Sequence, residues 1–122
     1  MRVVSKLAIC LSLLAVSSSA FPSDDSTLSP ETLAKGKTVF MGTCFACHGA
    51  DGKGLVPGTP NLRGKKSPLH QEDPVLIERI LNGYQSKGSP MAMPPKGGNP
   101  NLNEEDIEAV VAYMKDAFLK EK

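Results

Sequence analysis

The sequence predicts a small all-α protein. Three segments place apolar residues at helical spacing and begin with residues that commonly cap helices. No segment shows the apolar–polar alternation of a strand. The chain has 122 residues, 40% hydrophobic and 22% charged, which suits one domain.

The first 20 residues have the features of a cleaved secretory signal. Arg2 and Lys6 precede an apolar run over residues 7–16, and residues 17–20 are small, as a cleavage site requires. The alternative is a retained membrane anchor, but that would need roughly twenty apolar residues and this run has only about ten. Cys10 lies inside the run and is expected to be removed with the signal. We therefore expect an exported, periplasmic protein.

The first helix is predicted from about Pro30 to about Cys44. Residues 21–28 form a polar lead-in that we expect to be flexible, and the folded domain is expected over residues 29–122. Ser29 is the predicted N-cap, with proline in the first turn. Residues at helical spacing follow: Leu33, Gly36, Val39 and Phe40.

Two further helices are predicted beyond a loop rich in glycine and proline. Asp73 and Pro74 open the second helix, and Asn82 and Gly83 close it. After another broken stretch, Asn103 caps the third helix, whose first turn is acidic, as the helix macrodipole favours. Its apolar residues form one stripe: Ile107, Val110, Val111, Met114 and Phe118.

The clearest functional motif is Cys44-x-x-Cys47-His48, at the end of the first predicted helix. This is the attachment signature of c-type haem. Each thiol adds across one vinyl group, and the imidazole that follows can reach the iron. The macrocycle would also supply apolar core volume that so small a chain lacks.

Three other uses of these residues are less consistent with the sequence. A zinc site needs four ligands, and only His70 remains outside the motif. A thioredoxin-like dithiol would lie beside a strand in a βαβ unit. A simple disulfide between Cys44 and Cys47 would leave His48 without a role.

With its motif near the N-terminal end, the chain resembles the class I c-type cytochromes. The resemblance covers about Pro30 to Phe118, and residues 59–64 (TPNLRG) and 92–98 (AMPPKGG) match two further family segments. It implies a small class I cytochrome c fold of about three to four helices wrapped around one covalently bound haem c. Four-helix cytochromes c′, by contrast, carry the motif near the C-terminus.

The resemblance also implies roles for two residues of the first segment. The carbonyl of Pro60 would accept the Nδ1 hydrogen of His48, which fixes the tautomer and turns Nε2 toward the iron. Leu62 would pack on the haem face. A plain turn proline is the alternative for Pro60.

Met93 is the expected sixth iron ligand. A thioether binds ferrous iron better than ferric iron, so a methionine opposite His48 raises the reduction potential. Pro94 and Pro95 would hold Met93 on a rigid extended segment. Met91 is the fallback.

Gly36 and Tyr113 stand where the family's first and last helices cross, and Phe40 is expected to join that contact. A mid-helix glycine costs about 1 kcal/mol relative to alanine, so it needs such a reason. His70 lies in a polar stretch and is expected on the surface rather than on the iron.

The charge distribution excludes a nucleic-acid partner and is consistent with redox partners. Without Arg2 and Lys6, the 14 basic residues fall to 12 against 13 acidic ones, with no polybasic tract. Residues 49–100 carry a basic surplus and residues 101–122 an acidic one. We therefore expect transient docking of partner proteins at the haem edge, and a monomer.

With His48 and Met93 on the iron, no position stays open for a substrate. The predicted function is one-electron transfer between a membrane complex or dehydrogenase and an oxidase or reductase, rather than enzymatic catalysis. Two alternatives are a fixed electron-transfer subunit of a periplasmic oxidising complex and, if Met93 does not coordinate, a ligand-binding or peroxidase-like haem protein.

Overall fold

The computed structural model describes residues 28–120, and their regular structure is helical. The prediction of an all-α class is confirmed: those residues form no strand, only one isolated antiparallel bridge between Tyr84 and Met93. The predicted signal at residues 1–20 and most of the lead-in lie outside the described residues. Within residues 28–120, each helix is too short or too polar to cross a bilayer.

Residues 28–120 contain four α-helices and three short turns of other helix types. The α-helices are α1 (Pro30–Val39), α2 (Phe45–His48), α3 (Asp73–Asn82) and α4 (Glu104–Leu119). A π-helical turn, Phe40–Cys44, joins α1 to α2, and 3-10 turns lie at Pro68–His70 and Pro95–Gly98.

The first helix begins as predicted and ends later. Ser29 caps it, its Oγ accepting from the N–H of Thr32 at 3.1 Å. The chain stays helical past the predicted end at Cys44, through one wider π-helical turn, and stops after His48 where Gly49 takes φ 77°. Such π turns are often found at functional sites.

The other two predicted helices are confirmed. Gly83, with φ 80°, ends α3, which buries Leu76 and Ile80. Asn103 caps α4 reciprocally: its Oδ1 accepts from the N–H of Asp106 at 2.9 Å, and the carboxylate of Asp106 accepts from the N–H of Asn103 at 3.0 Å. The whole predicted apolar stripe of α4 is buried.

The core lies where α4 crosses α1, and the expected contact of Gly36 with Tyr113 is confirmed. Gly36 is buried, and Phe40 is 0% exposed. The ring centroid of Phe40 lies 5.6 Å from that of Tyr113 and 5.3 Å from that of Phe118. This crossing fixes the helix from which the haem motif continues.

Candidate functional site

One cleft gathers most of the residues singled out in the sequence. Its lining comes from residues 43–48, 58–60 and 84–97, and none of the lining residues is Asp, Glu, Lys or Arg. The empty space in the cleft, including the part open to solvent, is about 720 Å³. Concave sites with mainly apolar walls and few polar groups are typical of cofactor binding.

The two cysteines line this cleft one helical turn apart. Cys44 ends the π-helical turn and Cys47 lies in α2, and both thiols are free. Burial raises the pKa of Cys44 to about 11, with a smaller contribution from the neighbouring Cys47. Both thiols thus line the cleft and are not joined by a disulfide.

His48 is the last residue of α2, and the loop after it folds back over the helix end. The N–H of Gly54 donates to the carbonyl of His48 at 2.8 Å, and the N–H of Leu55 donates to that of Cys47 at 2.8 Å. These bonds satisfy carbonyls that a helix end leaves unpaired. They also bring Pro60 back to the cleft beside the imidazole.

The imidazole of His48 carries a buried polar atom without a partner. Nδ1 has no hydrogen-bond partner among the described residues. Burial lowers the pKa of His48, and the carbonyl of Pro60 acts in the opposite direction. Pro60 lines the same cleft as His48, while Nδ1 of His48 is unpaired within residues 28–120.

The main chain of Met93 forms two hydrogen bonds with the main chain of Tyr84. Its N–H donates to the carbonyl of Tyr84 at 2.8 Å, and its own carbonyl accepts from the N–H of Tyr84 at 3.0 Å. The side chain is half-buried and packs against the core. Met91 also lines the cleft but is 39% exposed.

The turn after Met93 contacts Thr43, the residue that precedes the Cys44-x-x-Cys47-His48 motif. Nδ2 of Asn99 donates to Oγ1 of Thr43 at 3.2 Å. A Cβ atom on Gly97 would lie 2.9 Å from Cγ2 of Thr43, so this approach requires a residue without a side chain. The Met93 segment and the cysteine motif therefore form one connected wall.

Two other predicted residues lie away from the cleft lining. Leu62 is 3% exposed and belongs to the hydrophobic core, so its contact with the haem face stays a prediction. His70 is exposed, with Nε2 3.0 Å from the carbonyl of Gly64, and lines a second groove instead. Its expected surface position is confirmed.

The positions of Tyr84 and Arg79 were not predicted from the sequence. Tyr84 pairs with Met93, and the guanidinium carbon of Arg79 lies 3.9 Å from the centroid of its ring. The only sequence signal was their place at the end of the second predicted helix, since pairing between distant segments leaves no local pattern.

These residues fit a covalently attached haem. The cleft offers uncharged walls for a flat apolar macrocycle, and two free thiols stand one turn apart on it. His48 and Met93, an imidazole and a thioether, provide a donor pair suited to haem iron. Nδ1 of His48 is buried and has no partner among the described residues, so it is free to donate to a backbone acceptor such as the Pro60 carbonyl while Nε2 binds a metal.

Comparison with known proteins gives one consistent family. A family model described as cytochrome c matches residues 33–118. The chain is 40% identical over 89 residues to cytochrome c-555 of Prosthecochloris aestuarii, covering 71% of this chain and 89% of that protein. It is 32% identical over 116 residues to cytochrome c-555 of Chlorobaculum tepidum, covering 93% and 94%.

A solved structure shows the same fold. The crystal structure of cytochrome cL from Methylophaga aminisulfidivorans superposes with a TM-score of 0.58 at 26% identity. The match covers 75% of this chain and 57% of that longer one.

Proposed function

Because this chain belongs to the cytochrome c family, we propose that it is a periplasmic one-electron carrier in which His48 and Met93 are the axial ligands of one haem c. The family carries covalently bound haem c, and Cys44 and Cys47 have the attachment spacing. When bound, the haem iron exchanges one electron between its ferrous and ferric states. Electron transfer, rather than turnover of a substrate, is the proposed activity.

The observation that carries this proposal is the rigid attachment of Met93. Both of its backbone groups are bonded to Tyr84, and a Cβ atom on Gly83 would lie 2.9 Å from its carbonyl oxygen. A ligand for both redox states should keep its sulfur in place as the charge of the iron changes, and a pinned backbone favours this. Among the described residues, the backbone of Met91 is bonded only to the hydroxyl of Ser89, two residues away, at 2.8 and 3.4 Å, and its side chain is 39% exposed, so it is the weaker candidate.

His48 is the proposed ligand on the other side. In this proposal the N–H at Nδ1 donates to the carbonyl of Pro60 in the loaded protein, which leaves Nε2 for the iron. Two observations support this: Pro60 lines the same cleft as His48, and Nδ1 of His48 has no other partner among the described residues. With both ligands in place, the residues leave no position for an exogenous substrate.

Spectroscopy and redox titration of the purified holoprotein test the ligand assignment. We expect the weak near-infrared absorbance band of Met-ligated ferric haem and a midpoint potential well above zero. Met93→Ala should lose the band and lower the potential, whereas Met91→Ala should keep both. A wild-type protein without the band, or loss of the band in Met91→Ala alone, would overturn the assignment of Met93.

Export and haem attachment are tested together by mass spectrometry of the periplasmic fraction. We expect the chain to begin near Phe21 and to carry the mass of one haem. A bare polypeptide in that fraction would contradict the proposal. Co-purification with a large oxidising complex would identify a fixed subunit rather than a free carrier.

We further propose that partners dock transiently at the mouth of the cleft. Among residues 28–120 the loops carry exposed lysines without an ion pair. Lys87 belongs to the segment that lines the cleft, and Lys65 and Lys66 lie in the loop that leads to the second groove. By contrast, Lys35 is paired with Glu105 and Asp106 of α4 at 2.8 and 3.2 Å. Such a charge asymmetry steers an acidic partner and is screened by salt. A bimolecular electron-transfer rate independent of ionic strength would contradict it.

A further inference from the structure

We propose that Arg79 is a positioning residue for Met93, acting through the ring of Tyr84. This inference rests on the proposed function, in which Met93 binds the haem iron. It assigns a role to a charged side chain outside the cleft lining, and it connects α3 to the axial ligand.

The first step is the contact between Arg79 and Tyr84. Arg79 lies in the last turn of α3, which ends at Asn82. Gly83, at φ 80°, then turns the chain so that the ring of Tyr84 lies against the guanidinium, whose carbon is 3.9 Å from the ring centroid. A cation within about 6 Å of an aromatic centroid is attracted to the ring face.

The second step is the connection from Tyr84 to Met93. The two residues exchange both backbone hydrogen bonds, at 2.8 and 3.0 Å, and both line the cleft. Gly83 lies so close that a Cβ atom there would be 2.9 Å from the carbonyl oxygen of Met93 and 3.0 Å from Cδ of Pro95. A shift of Tyr84 therefore moves the main chain of Met93.

The third step is that little else holds Tyr84. Its bridge to Met93 is isolated, with no flanking ladder among the described residues. Its side chain is 40% exposed and lies outside the hydrophobic core cluster. The contact with Arg79 is the one ring interaction that the described residues give it. Loss of the guanidinium should therefore allow the Met93 segment to open more often.

Imidazole binding to the ferric holoprotein measures this opening, since added imidazole competes with the methionine for the iron. Its apparent affinity scales with the fraction of molecules whose methionine has left. For Arg79→Gln we expect that affinity to rise about two- to five-fold, as the loss of an exposed cation–π contact predicts. Tyr84→Leu should give a similar rise, whereas Tyr84→Phe, which keeps the ring, should match the wild type.

Matched variants separate this role from general effects of charge and stability. Lys87→Gln removes one positive charge near the cleft from a side chain with no ion pair or ring contact among residues 28–120, and it should leave imidazole binding unchanged. The apparent imidazole affinity of the double variant Arg79→Gln/Tyr84→Leu should equal that of either single variant within experimental error, because both substitutions remove the same contact. Arg79→Lys, which keeps the charge near the ring, should lie between Arg79→Gln and the wild type.

The outcomes distinguish this inference from the ligand assignment. If the wild type shows the near-infrared band and Arg79→Gln binds imidazole like Lys87→Gln, the role of Arg79 is wrong and the assignment of Met93 stands. Fully additive effects in the double variant would also overturn it. If the wild type lacks the band, the ligand assignment fails, and the role of Arg79 fails with it.

Discussion

Gly36 of α1 lies directly against the main chain of Ala109 in α4. A Cβ atom at position 36 would be 2.0 Å from the carbonyl oxygen of Ala109 and 2.7 Å from Cβ of Tyr113. Real Cβ atoms essentially never approach other atoms below 3.0 Å. The two terminal helices of the domain can therefore cross this closely only with glycine at that point.

Gly36→Ala should destabilise the protein although alanine is the better helix former. Propensity alone would favour alanine by about 1 kcal/mol, but the clash involves backbone atoms that cannot rotate away. We expect a net loss of about 1–3 kcal/mol in the free energy of unfolding of the holoprotein, measured with urea. Gly42→Ala is the matched control, since nothing lies within 4 Å of that Cβ position, and it should not destabilise. Equal stability of Gly36→Ala and wild type would contradict the prediction.

Lys96→Gly should stabilise the turn after Met93. Lys96 has φ 54° and is the one residue other than glycine with positive φ among residues 28–120. That conformation disfavours a side chain by roughly 1–2 kcal/mol, while glycine adds flexibility to the unfolded chain. We expect the urea-derived free energy of unfolding to rise by up to about 1 kcal/mol. Lys87→Gly, at a position without positive φ, should lower it, and equal changes in both variants would refute the argument.

Ser67→Ala should cost about 1–3 kcal/mol. Ser67 is 5% exposed, and its Oγ donates to the carbonyl of Leu62 at 2.6 Å and accepts from the N–H of Leu69 at 3.1 Å. Removing the hydroxyl leaves both buried backbone groups without this partner. Thr38→Ala is the control, because Thr38 is exposed and bonds only to a carbonyl of its own helix. The measurement is urea unfolding, and similar stabilities of the two variants would count against the buried bonds.

Asp106→Asn should reduce the loss of stability in acid. The N–H of Asn103, followed by Lys35, holds the pKa of Asp106 below its usual value. The folded state thus favours the ionised carboxylate, whose contribution is present above the usual pKa of about 3.9 and is lost as pH falls through the lowered value.

Urea midpoints from about pH 5 to about pH 2 test this. The difference in urea midpoint between wild type and Asp106→Asn should shrink as the pH falls across that window. Glu108→Gln, an exposed change on the same helix, is the control. A difference that stays constant with pH would contradict the prediction.

The elements that follow a local pattern could be predicted from the sequence. Ser29 and Asn103 cap their helices as expected, and the stripe from Ile107 to Phe118 is buried, because capping and helical spacing are properties of neighbouring residues. The end of the first helix was placed too early at Cys44, since a π-helical turn has no clear signature in the side chains.

Five of the residues predicted to bind the cofactor line one cleft and Leu62 does not, whereas the contacts that support the cleft were not predicted. The cleft gathers Cys44, Cys47, His48, Pro60 and Met93, which the motif and the two family segments had singled out. The bridge from Tyr84 to Met93 and the hydrogen bond from Asn99 to Thr43 were not foreseen. Asn99 and Thr43 are 56 residues apart, and Tyr84 and Met93 lie at the two ends of an irregular loop, so in neither case does the local residue pattern indicate the pairing.

The crossing of α1 and α4 also determines when the domain can fold. The 16-residue helix α4 covers Phe40, so a chain that lacks α4 has no aromatic cover for that ring. A chain cut before Glu104 would present its aromatic residues to proteases and to other chains. Folding of this domain therefore requires α4, and fragments that end before Glu104 should be degraded rather than accumulate.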